Sequence, residues 1–237
     1  MSEPLASFAV AGGSDPHSHE VVTVDADGRV RALVATAWPD GAPADRAGVF
    51  EWTLGADELA ALEAEIGSAQ PPAESRPSAD AGGFSLATRG RRLRWGPFDE
   101  LPSSLAAVAR RFAALRAEAR EHPRAAVRLT LEPPLGFRFE ARGSEPVGLT
   151  VRAISARVVP AGEGTGPPPL LWAREAAPLR VPAPEARTLE PGETLLLGAD
   201  APAAGSRADG FAEVALAIGG EKRELVAVLA AGPLLTP

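Results

Sequence analysis

Cysteine is absent from the chain, which removes disulfides, thiol nucleophiles and thiolate metal sites together. Tyrosine is absent as well, asparagine does not occur, and Lys222 is the only lysine, while glycine and proline number 24 each. The missing residues have AT-rich codons and the abundant ones GC-rich codons. Nucleotide composition therefore explains the bias, and an arginine cluster carries less functional weight here than elsewhere. Long blocks of one charge are lacking too: acidic and basic residues are interspersed around a net charge of -7. Such a surface favours solubility and disfavours a polyanion as the main partner, so the expected partner is a protein and not a nucleic acid. The most apolar late stretch, Leu225 to Leu235, is broken by Gly232 and Pro233 and falls short of the roughly 20 residues a membrane helix needs. The opening MSEPLASFAV has neither the basic region nor the apolar core of a secretory signal, so the expected location is cytoplasmic, without a membrane partner.

What is present reads as globular: 45% hydrophobic and 23% charged residues over 237 positions suit two modules, each with its own core. Between HEVVTV and RVRALVATAW, Asp27-Gly28 supplies the positive φ of a tight hairpin. Phe50, Trp52 and Leu54 alternate with Val49, Glu51 and Thr53 and are expected to enter a core together. A helix is predicted from Ala56 to Ile66, with Gly55 as N-cap, Glu58 reaching back to it, Leu54 and Leu59 as a hydrophobic staple, and Gly67 as its stop. Residues 68 to 83 read as a loop. In FSLATRGRRLRW, the residues Phe84, Leu86, Leu93 and Trp95 share a face across an Arg89-Gly90 turn. Pro102 suits the first turn of a second helix, whose stripe is Leu105, Val108, Phe112, Leu115 and Ala119 and which ends before Pro123.

Beyond Pro123 the apolar period changes to two. Val127, Leu129 and Leu131 alternate with polar residues, as do Phe137 and Phe139. In VGLTVRAISARVV the parity shifts from Val147, Leu149 and Val151 to Ile154, Ala156 and Val158, which predicts a bulge near Arg152 or Ala153. Further strands are predicted at Thr194 to Leu197, Phe211 to Ile218 and Glu224 to Leu229, the last two joined at Gly219-Gly220. PAGEGTGPPP and DAPAAGSRADG read as loops. The expected organisation is an α+β module over residues 1–123, an antiparallel sheet with two helices, followed by an all-β immunoglobulin-like sandwich over residues 124–237.

Chemistry-bearing residues are sparse. His17 and His19, beside Asp15 and Glu20, have the H-x-H spacing that clamps a metal on an extended segment, yet a catalytic site needs a third ligand and an open position, and the remaining histidine, His122, lies at a helix end. A polar turn before a strand is the plainer reading, with an Asp15/His17/His19 metal-dependent hydrolase as the alternative. Asp25 and Asp27 lack the further ligands and the glycine placement of a calcium loop. GEGTGP is followed by Pro167, Pro168 and Pro169 where a phosphate loop requires a helix. Neither Ser14 nor Ser144 sits in a G-x-S-x-G elbow. No catalytic, metal-binding or cofactor-binding residue is assigned, and no cofactor is expected. The densest basic feature is Arg89, Arg91, Arg92 and Arg94 beside Trp95. If Trp95 faces the core it cannot stack on bases, and these arginines form a solvated face suited to an acidic protein partner.

FEWTLGADELAALEAEIG, the proline-rich loop, FSLATRGRRLRW and LPSSLAAVARRFAALRAEA follow one another in an order that resembles the emfourin-type, protealysin-inhibitor-like domains, across about residues 5 to 122. FEARGSEPVGLTV and LEPGETLLL are similar to bacterial immunoglobulin-like domains, some of which inhibit intracellular proteinases. The resemblance implies protease binding but transfers no inhibitory residue. The function expected is thus a non-enzymatic protein-binding or regulatory protein, with peptidase inhibition its most concrete form; a structural component of a larger assembly is the other alternative.

Overall fold

The computed structural model describes residues 4–11, 19–35, 46–72, 83–96, 98–159, 177–179, 186–198 and 206–235. The chain divides into two compact units, Met1–Val34 with Val49–Pro123, and Ala35–Gly48 with Arg124–Pro237. In the first unit lie β1 (Pro4–Ala11), β2 (His19–Asp25), β3 (Arg29–Val34), the Val49–Thr53 part of β4 (Arg46–Thr53), α1 (Ala56–Ser68), β5 (Gly83–Thr88), β6 (Arg91–Trp95), α2 (Ser103–Glu118) and a 3-10 turn at Ala119–Glu121. Its sheet runs β6-β5-β1-β2-β3 with β4 next, and the described pairings are antiparallel.

Local chemistry sets these elements where the sequence predicts them. Gly28 turns the β2–β3 hairpin at φ +84, and its N–H donates to the Asp25 carbonyl at 3.0 Å. The Gly55 N–H donates to Glu58 Oε2 at 3.1 Å, which is the half of a capping box that a glycine cap allows. Helix α1 buries Leu62 and Ile66, but Leu59 is half-buried and the helix runs through Gly67 to Ser68. The predicted stop therefore falls inside the last turn. The hydroxyl of Ser68 satisfies the Glu65 carbonyl at 2.9 Å, and Ala69, in extended conformation, closes the end.

Helix α2 begins where Pro102 offers its carbonyl to the Ala106 N–H at 2.9 Å. It buries Leu105, Val108, Phe112 and Leu115. Phe8 of β1 stacks on Phe112 at 5.2 Å and meets Trp95 at 5.8 Å, while Phe84 stacks on Trp95 at 5.8 Å. This aromatic cluster is the heart of the first core. A buried ring such as Phe112 contributes about 1.5–3 kcal/mol through the apolar area removed from water. Among these apolar groups Arg116 of α2 makes a two-pronged ion pair with Glu20 of β2, both buried. Leaving either charge without the other in that setting is costly, so the pair fixes which turn of α2 lies over β2.

In the second unit lie β7 (Pro123–Glu132), β8 (Gly136–Gly143), β9 (Val147–Val159), β10 (Ala177–Leu179), β11 (Ala186–Leu189), β12 (Thr194–Gly198), β13 (Arg207–Ile218) and β14 (Leu225–Leu235). One sheet is ordered β12-β8-β7 with the start of β4 beyond β7, and the other β10-β9-β13-β14 with β11 also on β9. Phe137, Phe139 and Leu129 are fully buried from the first sheet, Leu149, Val214 and Leu216 from the second. The two approach closely at Gly210 of β13, where an added Cβ would lie 2.7 Å from Leu131 Cδ2 and 2.8 Å from Phe137 Cε1. The predicted bulge falls on Arg152: Glu213 pairs with Ala153 and Val214 with Val151, so Arg152 has no opposite residue. Its guanidinium lies 3.7 Å from both Glu213 and Glu224.

The expected pairing of an α+β module with an immunoglobulin-like sandwich is not what the chain forms. The protein is mostly β, with fourteen strands in large antiparallel sheets against two α-helices and one 3-10 turn among the described residues. The second unit is also not closed by the C-terminal half alone. Gly48, at φ +151, sits so near β7 that a Cβ would come 2.3 Å from the Ala125 carbonyl oxygen and 2.5 Å from Ala126 Cα. Only glycine fits that approach. Alternation along a strand reports which face is buried, not which strand lies beside it, which is why the place of Gly48 beside β7 was not legible.

Smaller corrections follow the same logic. Trp52, predicted to enter the core with Phe50 and Leu54, is half-buried and stacks on His122 at 5.5 Å. Arg207 to Gly210, read as loop, open β13, and β10 and β11 had no clear sequence signal. The predicted loop residues 73–82 and 160–169 lie outside the described residues.

Candidate binding surface

The arginine-rich hairpin β5–β6 turns at Arg89-Gly90, with Gly90 at φ +85. Its register is Phe84 opposite Trp95, Ser85 opposite Arg94, Leu86 opposite Leu93, Ala87 opposite Arg92 and Thr88 opposite Arg91. Leu86, Leu93 and Trp95 are buried, so the indole belongs to the core, as the alternation predicts, and offers no stacking face to a base. Arg92 and Arg94 project from the opposite face and are exposed.

The four arginines do not act alike. Arg91 donates to the Ile66 carbonyl at 2.8 Å, which also accepts the Ala69 N–H at 3.3 Å, and places a cation at the negative end of α1. Its role is therefore structural. Arg89 stands exposed in the turn. Arg92 and Arg94 remain as the pair on the sheet's outward face, and they stand on β6, the last strand in the sheet's order.

Register then shows what lies next to them. One row across the outward face reads Arg92, Ala87, Ser7, Thr23, Arg31, and the next reads Arg94, Ser85, Ala9, Val21, Leu33. Ser7, Ala9, Ser85 and Ala87 thus make a shelf of small side chains between the β6 arginines and Arg31, whose guanidinium lies 3.7 Å from Glu51. Four strand steps of about 4.8 Å separate Arg31 from Arg92, roughly 19 Å along the sheet.

Directly after β6 the chain makes a tight turn. The Gly96 N–H donates to Asp99 Oδ2 at 2.7 Å and the Asp99 N–H donates back to the Gly96 carbonyl at 3.4 Å. Phe98, held on this turn, is 89% exposed, the most open large apolar side chain among the described residues. Sequence reasoning gave it no role. The signal that could have found it is the G-P-F-D sequence, a turn-favouring composition in which a large apolar residue need not enter a core.

The other sequence candidates give no assembled site. Asp15, His17 and Ser14 lie outside the described residues, as does the side chain of His19, while the His19 backbone opens β2. Among the described residues no group of three or more histidine, cysteine, aspartate or glutamate side chains could hold a metal. His122 lies against Trp52 and is 3.9 Å from Glu118. Ser144 sits in the turn after β8, where its N–H donates to the Arg124 carbonyl at 2.9 Å. No helix among the described residues is long and apolar enough to cross a membrane. No known protein family and no curated protein matches this chain.

Proposed function

We propose that the protein is a non-enzymatic binding protein whose partner docks on the β5–β6 hairpin and the turn that follows it. The observation that carries this reading is Phe98, 89% exposed on a turn closed by two hydrogen bonds. An exposed aromatic ring on a hydrogen-bonded turn can fill an apolar pocket in a partner. Arg92 and Arg94, on the strand that leads into this turn, favour an acidic rim on the partner. A peptidase is the partner class to test first, because the order of elements in the first unit resembles that of emfourin-type inhibitors.

The test is co-elution with, and inhibition of, a panel of purified metallo- and serine-peptidases, using wild type, Phe98→Ala and the double variant Arg92→Glu/Arg94→Glu. At least one peptidase is expected to bind. Phe98→Ala should weaken that binding by about 30-fold or more, the loss typical of a central aromatic anchor, and the charge-reversed variant should bind more slowly and lose salt sensitivity. Failure of every peptidase to bind removes the inhibitor reading. Binding that Phe98→Ala leaves unchanged removes this surface.

A further inference from the structure

The strand β12, at the opposite kind of sheet edge, has no charged side chain. It reads Thr194-Leu195-Leu196-Leu197-Gly198, pairs with β8 on one side and ends its sheet's order among the described residues. Leu196 is 56% exposed, while Leu195 and Leu197 are half-buried opposite Phe139 and Phe137, both of which are fully buried. The apolar core therefore runs out to this edge and stops there unfinished.

Backbone geometry says which groups face outward. Gly192, at φ +84, and Glu193 form a bulge opposite Ala141: the Gly192 N–H donates to the Ala141 carbonyl at 2.9 Å, and the Ala141 N–H donates to the Glu193 carbonyl at 2.9 Å. Counting from that bonded pair, Leu195 and Leu197 turn their backbone groups toward β8, and Thr194, Leu196 and Gly198 turn theirs away.

We infer that β12 pairs antiparallel with β12 of a second copy of this chain, about a two-fold axis through Leu196. This occupant is singled out by self-complementarity. Centred on Leu196, the register sets Leu196 against Leu196, Thr194 against Gly198 and Leu195 against Leu197, so every outward N–H meets an outward carbonyl. The two half-open leucines of each copy cover those of the other and extend the core across the axis. No charged residue lies within the paired segment, so the register sets no like charges face to face. A five-residue strand buries far less than the roughly 1,000 Å2 of a stable interface. Association is accordingly weak, with a dissociation constant on the order of 0.1 mM. Because each copy carries net charge -7, added salt strengthens it by screening the mutual repulsion.

Sedimentation equilibrium of the full chain between about 10 µM and 1 mM, with amide hydrogen exchange at both ends of that range, tests the pairing. The average mass should climb toward that of a dimer, and the amides of Thr194, Leu196 and Gly198 should exchange roughly fourfold more slowly at high concentration, with those of Leu195 and Leu197 slow at both. Leu196→Lys, which sets two like charges on the axis, should abolish association. Leu196→Thr, which keeps a strand-forming residue at an exposed site, should weaken it several-fold if the lysine variant does not fold. Phe98→Ala should leave it intact, which separates this interface from the proposed binding surface. A monomer throughout the range, or a dimer indifferent to both Leu196 variants, overturns the inference.

Discussion

Two sheet edges in this protein have opposite characters. Strand β6 ends the first unit's sheet with Arg91, Arg92 and Arg94 in five residues, and β12 ends a sheet of the second unit with three leucines and no charge. Charged side chains on an edge strand oppose addition of another strand, because the incoming chain would have to desolvate them, whereas an uncharged edge extends the ladder without that cost. The difference teaches that an edge can be specified for a side-chain partner or for a backbone partner. The first offers guanidinium groups on its outward face; the second offers amides and carbonyls that turn away from β8.

The largest effect that would disturb this contrast comes from beneath the first sheet. Arg116→Ala leaves Glu20 buried without its guanidinium, and the expected loss is about 3–5 kcal/mol in denaturant unfolding. Replacing both partners together, Glu20→Met with Arg116→Leu, should restore most of it. If the single variant unfolds like wild type, the pair does not fix α2 over β2. Next in size, Gly210→Val drives a side chain into Leu131 and Phe137 and should cost the second unit about 1–3 kcal/mol by overpacking, read as a lowered denaturant midpoint. Smallest in stability, within about 0.5 kcal/mol, is Arg92→Val with Arg94→Val. It sharpens the contrast most directly, because light scattering should then report self-association through β6 that wild type lacks at that edge. Unchanged scattering would mean the arginines do not guard it.

Local features of the fold were legible before any coordinates. The hairpins at Gly28 and Gly90, the Glu58 contact at the start of α1, the stripe Leu105, Val108, Phe112 and Leu115, and the bulge at Arg152 all follow from interactions within a few residues of chain. What was not legible depends on which segment lies beside which. Gly48 against Ala125 and Ala126 could not be read from either stretch. Of the proposed binding surface, the arginines were visible as a cluster. Their division was not, since Arg91 is claimed by a carbonyl at Ile66, 25 positions away. Phe98 was missed because hydrophobicity alone does not say whether a ring finds neighbours.

The bulge in β9 has a consequence for how long this strand needs to be. Val147, Leu149 and Val151 point inward before it, and Ile154 and Ala156 after it. Removing one residue from Arg152-Ala153 would return the strand to plain alternation with every one of those apolar side chains still inside, and a single deletion between Val147 and Val151 would not. The chain thus carries one spare unit of length in the middle of a paired strand, a position at which loss of a codon leaves the inside and the outside where they were.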